Sequence, residues 1–220
     1  MNGKFQKHAK THTETEMSNR YGISRITVRN AIAELVEDGL IIKRQGKGTF
    51  VNRPKLQRKI EHPNEVIGFS EVCRANGMVP GASLIAVTKV PAGPEEAAFF
   101  GVPEGTDFLC VQRVRTADGD PIMLENNYFP YERFRDLGAD LECGCPLFTM
   151  LRENYGVTET SSVHSSLELT KAREAQSKHL LIPMNEPLFF LSVHFVDQDQ
   201  QPLFIGRQYI DGRRYTFAIY

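Results

Sequence analysis

The 220-residue chain has no tryptophan and only four cysteines, Cys73, Cys110, Cys143 and Cys145. None forms a C-x-x-C pair. Cys143-Gly-Cys145 is too close-set for ordinary disulfide geometry and has no second pair to complete a zinc site. Free thiols are therefore expected, as in a reducing, cytoplasmic compartment. No apolar run reaches the roughly 18 residues that suggest a membrane span. The N-terminus lacks the apolar stretch of a signal peptide. No G-x-G-x-x-G, no P-loop, no internal repeat and no low-complexity tract is evident. His164, His179 and His194 are scattered, in no Ser-His-Asp or Cys-His order, so no catalytic residue, metal or cofactor is expected.

What is present is an uneven distribution of charge. Net charge is −1, with 41% apolar and 24% charged residues, as in an ordinary globular protein. Residues 1–60 hold 13 Lys/Arg and 5 Asp/Glu, and the remainder holds 13 and 22. A basic segment joined to an acidic one suggests a polyanion-binding module beside a different one. A solvated basic arm would give the same count.

Patterned sequence begins at Thr13. Thr13 and Glu16 fit the capping box S/T-x-x-E at a helix start, and Gly22-Ile23 reads as a turn. Ser24 is a good N-cap for a second helix, in which Val28, Ala31, Ile32, Leu35 and Val36 form one apolar stripe. Gly39 closes it. Arg25, Thr27 and Arg29 share the opposite face near its start, where a recognition helix meets the major groove. An amphipathic surface helix would have the same spacing. Residues 40–44 then read as a strand, Gln45-Gly46-Lys47-Gly48 as a tight turn and 49–51 as a returning strand. Two glycines around a lysine let the backbone approach a phosphate while supplying charge.

The run ISRITVRNAIAELVEDGLIIKRQGKGTFV resembles the winged helix-turn-helix of the GntR family of transcription regulators. The resemblance implies DNA contacts at Arg25, Thr27, Arg29, Gln45, Lys47 and Gly48, and a phosphate contact at Arg44. GntR domains normally carry a helix before this segment. Only twelve residues precede Thr13 and they show no apolar stripe, so the first helix is expected to be missing or replaced, as in a truncated product or a chain with a mis-assigned N-terminus. The domain expectation is a winged helix-turn-helix at 1–52, N-terminally incomplete, a linker at 53–62 and a second domain at 63–220.

The second domain has strand character at 82–90, 106–116, 121–129, 157–169, 188–197, 202–210 and 214–220. Helical character lies at 70–76, 94–100, 146–154 and 171–180. Long alternating strands with turns such as Asp118-Gly119 favour an antiparallel sheet. Gly68-Phe69-Ser70-Glu71, the strand 108–115, the strand 121–128, Ile182-Pro183 and the run 214–217 resemble the UTRA effector-binding domain of the HutC subfamily of GntR regulators. That resemblance implies an α+β chain whose second domain is a chorismate-lyase-like antiparallel α/β fold with a ligand cavity. It adds Phe69 to the effector contacts.

Arg113 and Arg115 are two apart on a strand and share a face. Buried there they are costly unless they meet an anion. Ser70, at a helix start, would add backbone amides. Two solvated arginines on an exposed sheet face are the alternative. A three-residue loop at 118–120 would pair Arg113 with Glu125 and Arg115 with Met123, leaving Val114, Ile122 and Leu124 on the other face. It segregates polar from apolar better than a two-residue turn, which would pair Arg113 with Leu124, and it brings Glu125 beside Arg113. Pro146, Phe204 and Ile210 stand where sugar-phosphate-sensing relatives carry Ser, Glu and Tyr, which points to a less polyhydroxylated anion.

The function expected is a ligand-responsive repressor that binds operator DNA as a homodimer and is modulated by a small anionic metabolite, with no membrane. The alternatives are an effector-binding or dimerising fragment without DNA contact and a chorismate-lyase-like enzyme.

Overall fold

The computed structural model describes residues 11–37, 41–44, 48–51, 55–60, 66–141 and 146–219. The chain divides into two compact units, meeting between Lys55 and Leu56.

The first unit holds α1 (Glu14–Tyr21), α2 (Arg25–Glu37), β1 (Ile41–Arg44) and β2 (Gly48–Val51). The capping box forms as the sequence predicts. Glu16 N–H donates to Thr13 Oγ1 at 3.2 Å and Thr13 N–H to Glu16 Oε2 at 2.7 Å. Gly22 adopts the left-handed conformation, φ 65°, that ends α1. Ser24 Oγ accepts the Thr27 N–H at 3.1 Å and starts α2. β1 and β2 pair antiparallel, Arg44 opposite Gly48. The core of this unit is narrower than the expected stripe. Val28 and Ile32 are buried with Ile41 and Met17 packs on them, whereas Ala31, Leu35 and Val36 are exposed. Gly39 and the expected missing first helix, over residues 1–10, lie outside the described residues.

The second unit contains β3 (Leu56–Ile60), α3 (Phe69–Ala75), β4 (Pro80–Pro91), α4 (Pro94–Phe100), β5 (Asp107–Ala117), β6 (Asp120–Pro130), α5 (Tyr131–Phe134), α6 (Leu137–Leu141), α7 (Leu147–Tyr155), β7 (Thr160–Lys171), α8 (Glu174–Leu180), β8 (Pro187–Asp197), β9 (Pro202–Asp211) and β10 (Tyr215–Ile219). Every strand and helix expected after residue 63 is found. Residues 56–60 correct the linker expectation. They form a strand parallel to β10, with Leu56 fully buried opposite Tyr215. Asn76 extends this pairing by accepting from Gln57 N–H and donating to Gln57 O, each at 3.0 Å.

Six strands form an antiparallel sheet in the order β4-β5-β6-β9-β8-β7. That order corrects the expectation of no internal repeat. β4-α4-β5-β6 and β7-α8-β8-β9 follow the same path, with β4 beginning at Pro80 and β7 at Thr160. The local bonds repeat as well. Ala92 N–H donates to Thr106 O at 2.7 Å and Ala172 N–H to Glu186 O at 2.8 Å. Gly101 and Leu181 are both left-handed, at φ 64° and 55°. The residues behind these bonds are mostly unlike, which hid the repeat from a search for identical letters.

Rows of side chains cross the sheet. One face carries Arg113, Glu125, Gln208, Leu191 and Leu167 in one row and Asn127, Gly206, Val193 and Ser165 in the next. This face meets α3, α5, α6, α7, β3 and β10 in the main core, where Phe129, Phe134, Phe204, Leu137 and Leu151 are almost wholly buried. The opposite face meets α4 and α8. There Val114 and Leu124 pack with Leu180, Ile182 and Leu188.

Candidate ligand cavity and candidate DNA-contact residues

The β5–β6 hairpin sets the cavity chemistry. Its turn is the two-residue Asp118-Gly119, φ 51° and 81°, with Ala117 opposite Asp120, so the three-residue loop expectation is corrected. A bulge then shifts the ladder, because Arg115 faces Met123 while Thr116 faces Pro121. The extra residue, Ile122, restores the register the sequence predicts, with Arg113 opposite Glu125 and Val114 opposite Leu124. Ile122 joins the main core rather than the cluster of Val114 and Leu124.

Phe69, Ser70, Arg113, Arg115 and Glu125 all line one cavity of about 580 Å³, a size suited to a small molecule. They also touch one another. Arg113 pairs with Glu125 through Nη2, and Arg115 Nη1 lies 3.5 Å from the same carboxylate oxygen. Arg115 Nη2 donates to Ser70 Oγ at 2.9 Å, and its guanidinium lies 4.9 Å from the Phe69 ring centre. The arginines are 3% and 7% exposed and Glu125 4%, so the solvated-arginine alternative is excluded. α3 begins at Phe69, one residue before the expected start, with Gly68 as its N-cap.

Two buried guanidinium groups face one buried carboxylate, a local excess of one positive charge. Burial pushes the Glu125 carboxyl up, but the charges of Arg113 and Arg115 outweigh it and hold it below its ordinary value. Burial lowers Arg113 despite Glu125. The Nε–H groups of Arg113 and Arg115 and the Oε1 of Gln208 are buried with no hydrogen-bond partner among the described residues. Buried polar groups without partners are uncommon, and each calls for an explanation such as a bound water, ion or ligand.

Other lining groups carried no clear sequence signal. Asn127 and Gln208 stand beside Glu125, and Thr160, Ser162 and Ser165 bring hydroxyls from β7. The Ser/Thr-rich run over 158–166 was the available signal, but it also suits a solvated edge. Gly206 leaves room here, since a Cβ on it would meet Asn127 Oδ1 and Phe195 Cε2, each at 3.1 Å. Of the positions where polar groups were expected to be lost, Pro146 and Phe204 line the cavity, whereas Ile210 is fully buried in the core. Cys73 lies in the same core, and burial pushes its thiol up to about 11. Cys73 and Cys110 are free thiols, and Cys143 and Cys145 lie outside the described residues.

In the first unit, Arg25 and Thr27 are exposed at the start of α2, and Thr27 Oγ1 lies 2.8 Å from Ser24 Oγ. Arg29 is already engaged, donating to Glu14 Oε2 through Nε at 3.2 Å and Nη2 at 3.1 Å. Lys43 Nζ lies 3.8 Å from the other oxygen of Glu14. One carboxylate thus ties α1, α2 and β1. Arg44 ends β1, and Gly48 opens β2 at φ 116°. Gln45 and Lys47 lie outside the described residues. No described helix is long and apolar enough to cross a membrane, and no cluster of three metal-ligating residues occurs among the described residues.

Comparison with known proteins agrees with this division. The UTRA domain family matches residues 75–216, and the family "Bacterial regulatory proteins, gntR family" matches residues 1–51. The HTH-type transcriptional regulator YurK of Bacillus subtilis is 30% identical over 99% of this chain and 88% of its own length. A probable fructoselysine utilization operon transcriptional repressor of Escherichia coli is 28% identical over 99% and 87%. The crystal structure of PhnF from Mycobacterium smegmatis superposes with a TM-score of 0.71 at 26% identity, over 99% of this chain and 93% of that one.

Proposed function

The chain belongs to the GntR family of bacterial transcription regulators, with a UTRA domain as its second module, and from that premise we propose that it is a repressor whose DNA binding responds to a small anionic metabolite. Regulators, not enzymes, make up this family, which sets the lyase reading aside. The observation that carries the proposal is the pair of buried guanidinium groups, in excess over Glu125, with two Nε–H donors unpartnered at one cavity. A ligand with one anionic group satisfies those donors and neutralises the excess charge. The amides and hydroxyls of Asn127, Gln208, Ser162 and Ser165 suit a ligand body that also makes neutral hydrogen bonds.

Arg25, Thr27, Arg44, Gln45, Lys47 and Gly48 are the proposed DNA contacts, with Arg29 joining them once it leaves Glu14. The protein would act in the cytoplasm as a homodimer, one winged helix per operator half-site. The effector acts by binding one DNA-bound or free arrangement better than the other.

A thermal-shift screen of phosphorylated and carboxylated metabolites tests the ligand reading. A true effector raises Tm in the wild type by mass action and not in Arg113→Met. Fluorescence polarisation with duplexes selected from a random library tests the DNA reading. Binding should weaken steeply between low and physiological salt. No binding to any duplex at low salt sinks the regulator reading and leaves an effector-binding fragment. An effector that binds but leaves DNA affinity unchanged sinks the switch.

A further inference from the structure

Besides the ion pairs of Glu125, the cavity holds three buried polar atoms without a hydrogen-bond partner among the described residues. They are the Nε–H groups of Arg113 and Arg115 and the Oε1 of Gln208. Their requirements differ. Two N–H donors on two arginines call for two acceptor oxygens. Gln208 lies opposite Glu125 on the next strand, and its oxygen calls for a donor, which an ionised acid group does not supply. A bound anion therefore leaves one orphan unless it also carries an O–H or N–H.

Charge narrows the choice of acid. Arg113, Arg115 and Glu125 together leave one positive charge, in a place with almost no exposure to water. A carboxylate brings one negative charge and two oxygens, one for each Nε–H. A phosphate monoester brings close to two negative charges at neutral pH and would reverse the sign of the cluster. The other charged groups at the cavity, Arg58, Lys59, Glu71, Arg74 and Arg152, are exposed or half-buried, so water and salt screen them.

The second half-repeat constrains the rest of the ligand. The bonds of Ala92 and Ala172 are equivalent, and both ladders shift after the same position, at Arg115 and at Phe195. Val193 and Phe195 therefore hold the places of Arg113 and Arg115. Where Arg113 faces Glu125, Val193 faces Gly206, and where Arg115 faces Met123, Phe195 faces Phe204. The ion cluster of one half is an apolar wall in the other. Phe195 and Phe204 are stacked with ring centres 4.2 Å apart, and Phe148, half-buried on α7, stands edge-on to Phe195 at 6.1 Å. Faces and edges of rings are the surroundings an aromatic group packs against best. From Glu125 on β6 to Val193 on β8 is two strand spacings, about 10 Å. A phenyl ring joined to a carboxylate through a short carbon link spans that distance.

We infer that the ligand is an aryl hydroxy acid. Its carboxylate meets the Nε–H groups of Arg113 and Arg115, its hydroxyl donates to Gln208, and its ring lies against Phe148 and the Phe195–Phe204 pair. The inference rests on the anionic-ligand reading and narrows it. It makes Gln208 the residue that tells a hydroxy acid from its deoxy analogue.

The test is calorimetric titration of the full chain with phenyllactate, mandelate, hydroxyphenyllactate and indolelactate. Phenyllactate should bind. Hydrocinnamate, which lacks only the hydroxyl, should bind about tenfold more weakly, because the Gln208 oxygen stays without a donor. Lactate, which lacks the ring, should lose about a hundredfold. Octanoate should bind more weakly than hydrocinnamate, and glucose-6-phosphate more weakly still. Gln208→Leu should cancel the preference for phenyllactate without weakening hydrocinnamate, an outcome that general loss of structure does not produce. Circular dichroism should be unchanged. The inference is overturned if none of the four hydroxy acids binds at millimolar concentration, or if Gln208→Leu keeps the preference. Tighter binding of octanoate or glucose-6-phosphate, lost in Arg113→Met, also overturns it while the anionic-ligand reading stands. That reading falls with it only when no acid of any class depends on Arg113.

Discussion

Glu125 is enclosed between Arg113 and Arg115, and its ionised form is what makes two buried arginines tolerable. Removing one partner of a buried ion pair costs about 3–5 kcal/mol, because the charge left behind has no compensation. Glu125→Gln should therefore lower stability in urea at neutral pH by an amount of that order. The pH dependence has a definite sign. The folded value lies below the ordinary 4.5, so the stabilisation is full above that pH and is lost as pH falls through the lower folded value. The gap between wild type and Glu125→Gln should narrow on acidification, and a gap independent of pH would contradict the assignment. Leu181 gives a second residue-scale test. It is left-handed at φ 55° and 80% exposed, where the other half-repeat has Gly101. Leu181→Gly should stabilise by about 1 kcal/mol, read from the urea midpoint, because a non-glycine residue is disfavoured there by roughly that much. At this scale the sequence was informative where chemistry is costly, since paired arginines on one strand face demanded an anion. Gln208 and Ser162 escaped notice because an amide or hydroxyl costs nothing on an exposed edge. Only the observed rows reveal which side of the sheet they take.

Among elements, α1 depends on its cap. It has no buried residue, so its capping box is its main local anchor. Thr13→Ala should cost about 1 kcal/mol, visible as faster amide exchange over 14–21. Glu14→Ala should loosen α2 and β1 as well, because one carboxylate holds Arg29 and Lys43. The hairpin illustrates what sequence can and cannot reach. Polar and apolar alternation predicted the pairing of Arg113 with Glu125 correctly, since a one-residue slip would exchange the faces. It misjudged how the chain arrives there, because a tight turn plus a bulge and a longer loop give the same register. β3 was read as linker for a related reason. Leu-Gln-Arg-Lys-Ile is a polar run unless Leu56 has Tyr215 to cover it, and that partner lies at the far end of the chain.

For the whole molecule, the two units were legible from charge and turn chemistry, with the boundary moved to Lys55–Leu56. The duplication within the second unit was not, because what repeats is backbone hydrogen bonding rather than side-chain identity. The cavity spans both half-repeats. Gly206→Ala, in the middle of the sheet, should cost roughly 1–3 kcal/mol by overpacking against Asn127 and Phe195. It should also weaken any effector found by thermal shift, and an unchanged Tm gain would show that the ligand does not reach this part of the sheet.

The duplicated sheet also bears on how such a sensor changes over generations. The Arg113–Arg115–Glu125 cluster sits on β5 and β6 of one half-repeat, and the equivalent face of the other carries Val193 and Phe195 beside the hydroxyls of β7. In the proposed reading, anchor and selector are inherited on separate copies of one frame. If the first copy holds an acid group as proposed, substitutions on the second can explore new effectors, and a change of diet need not pass through a protein that binds nothing.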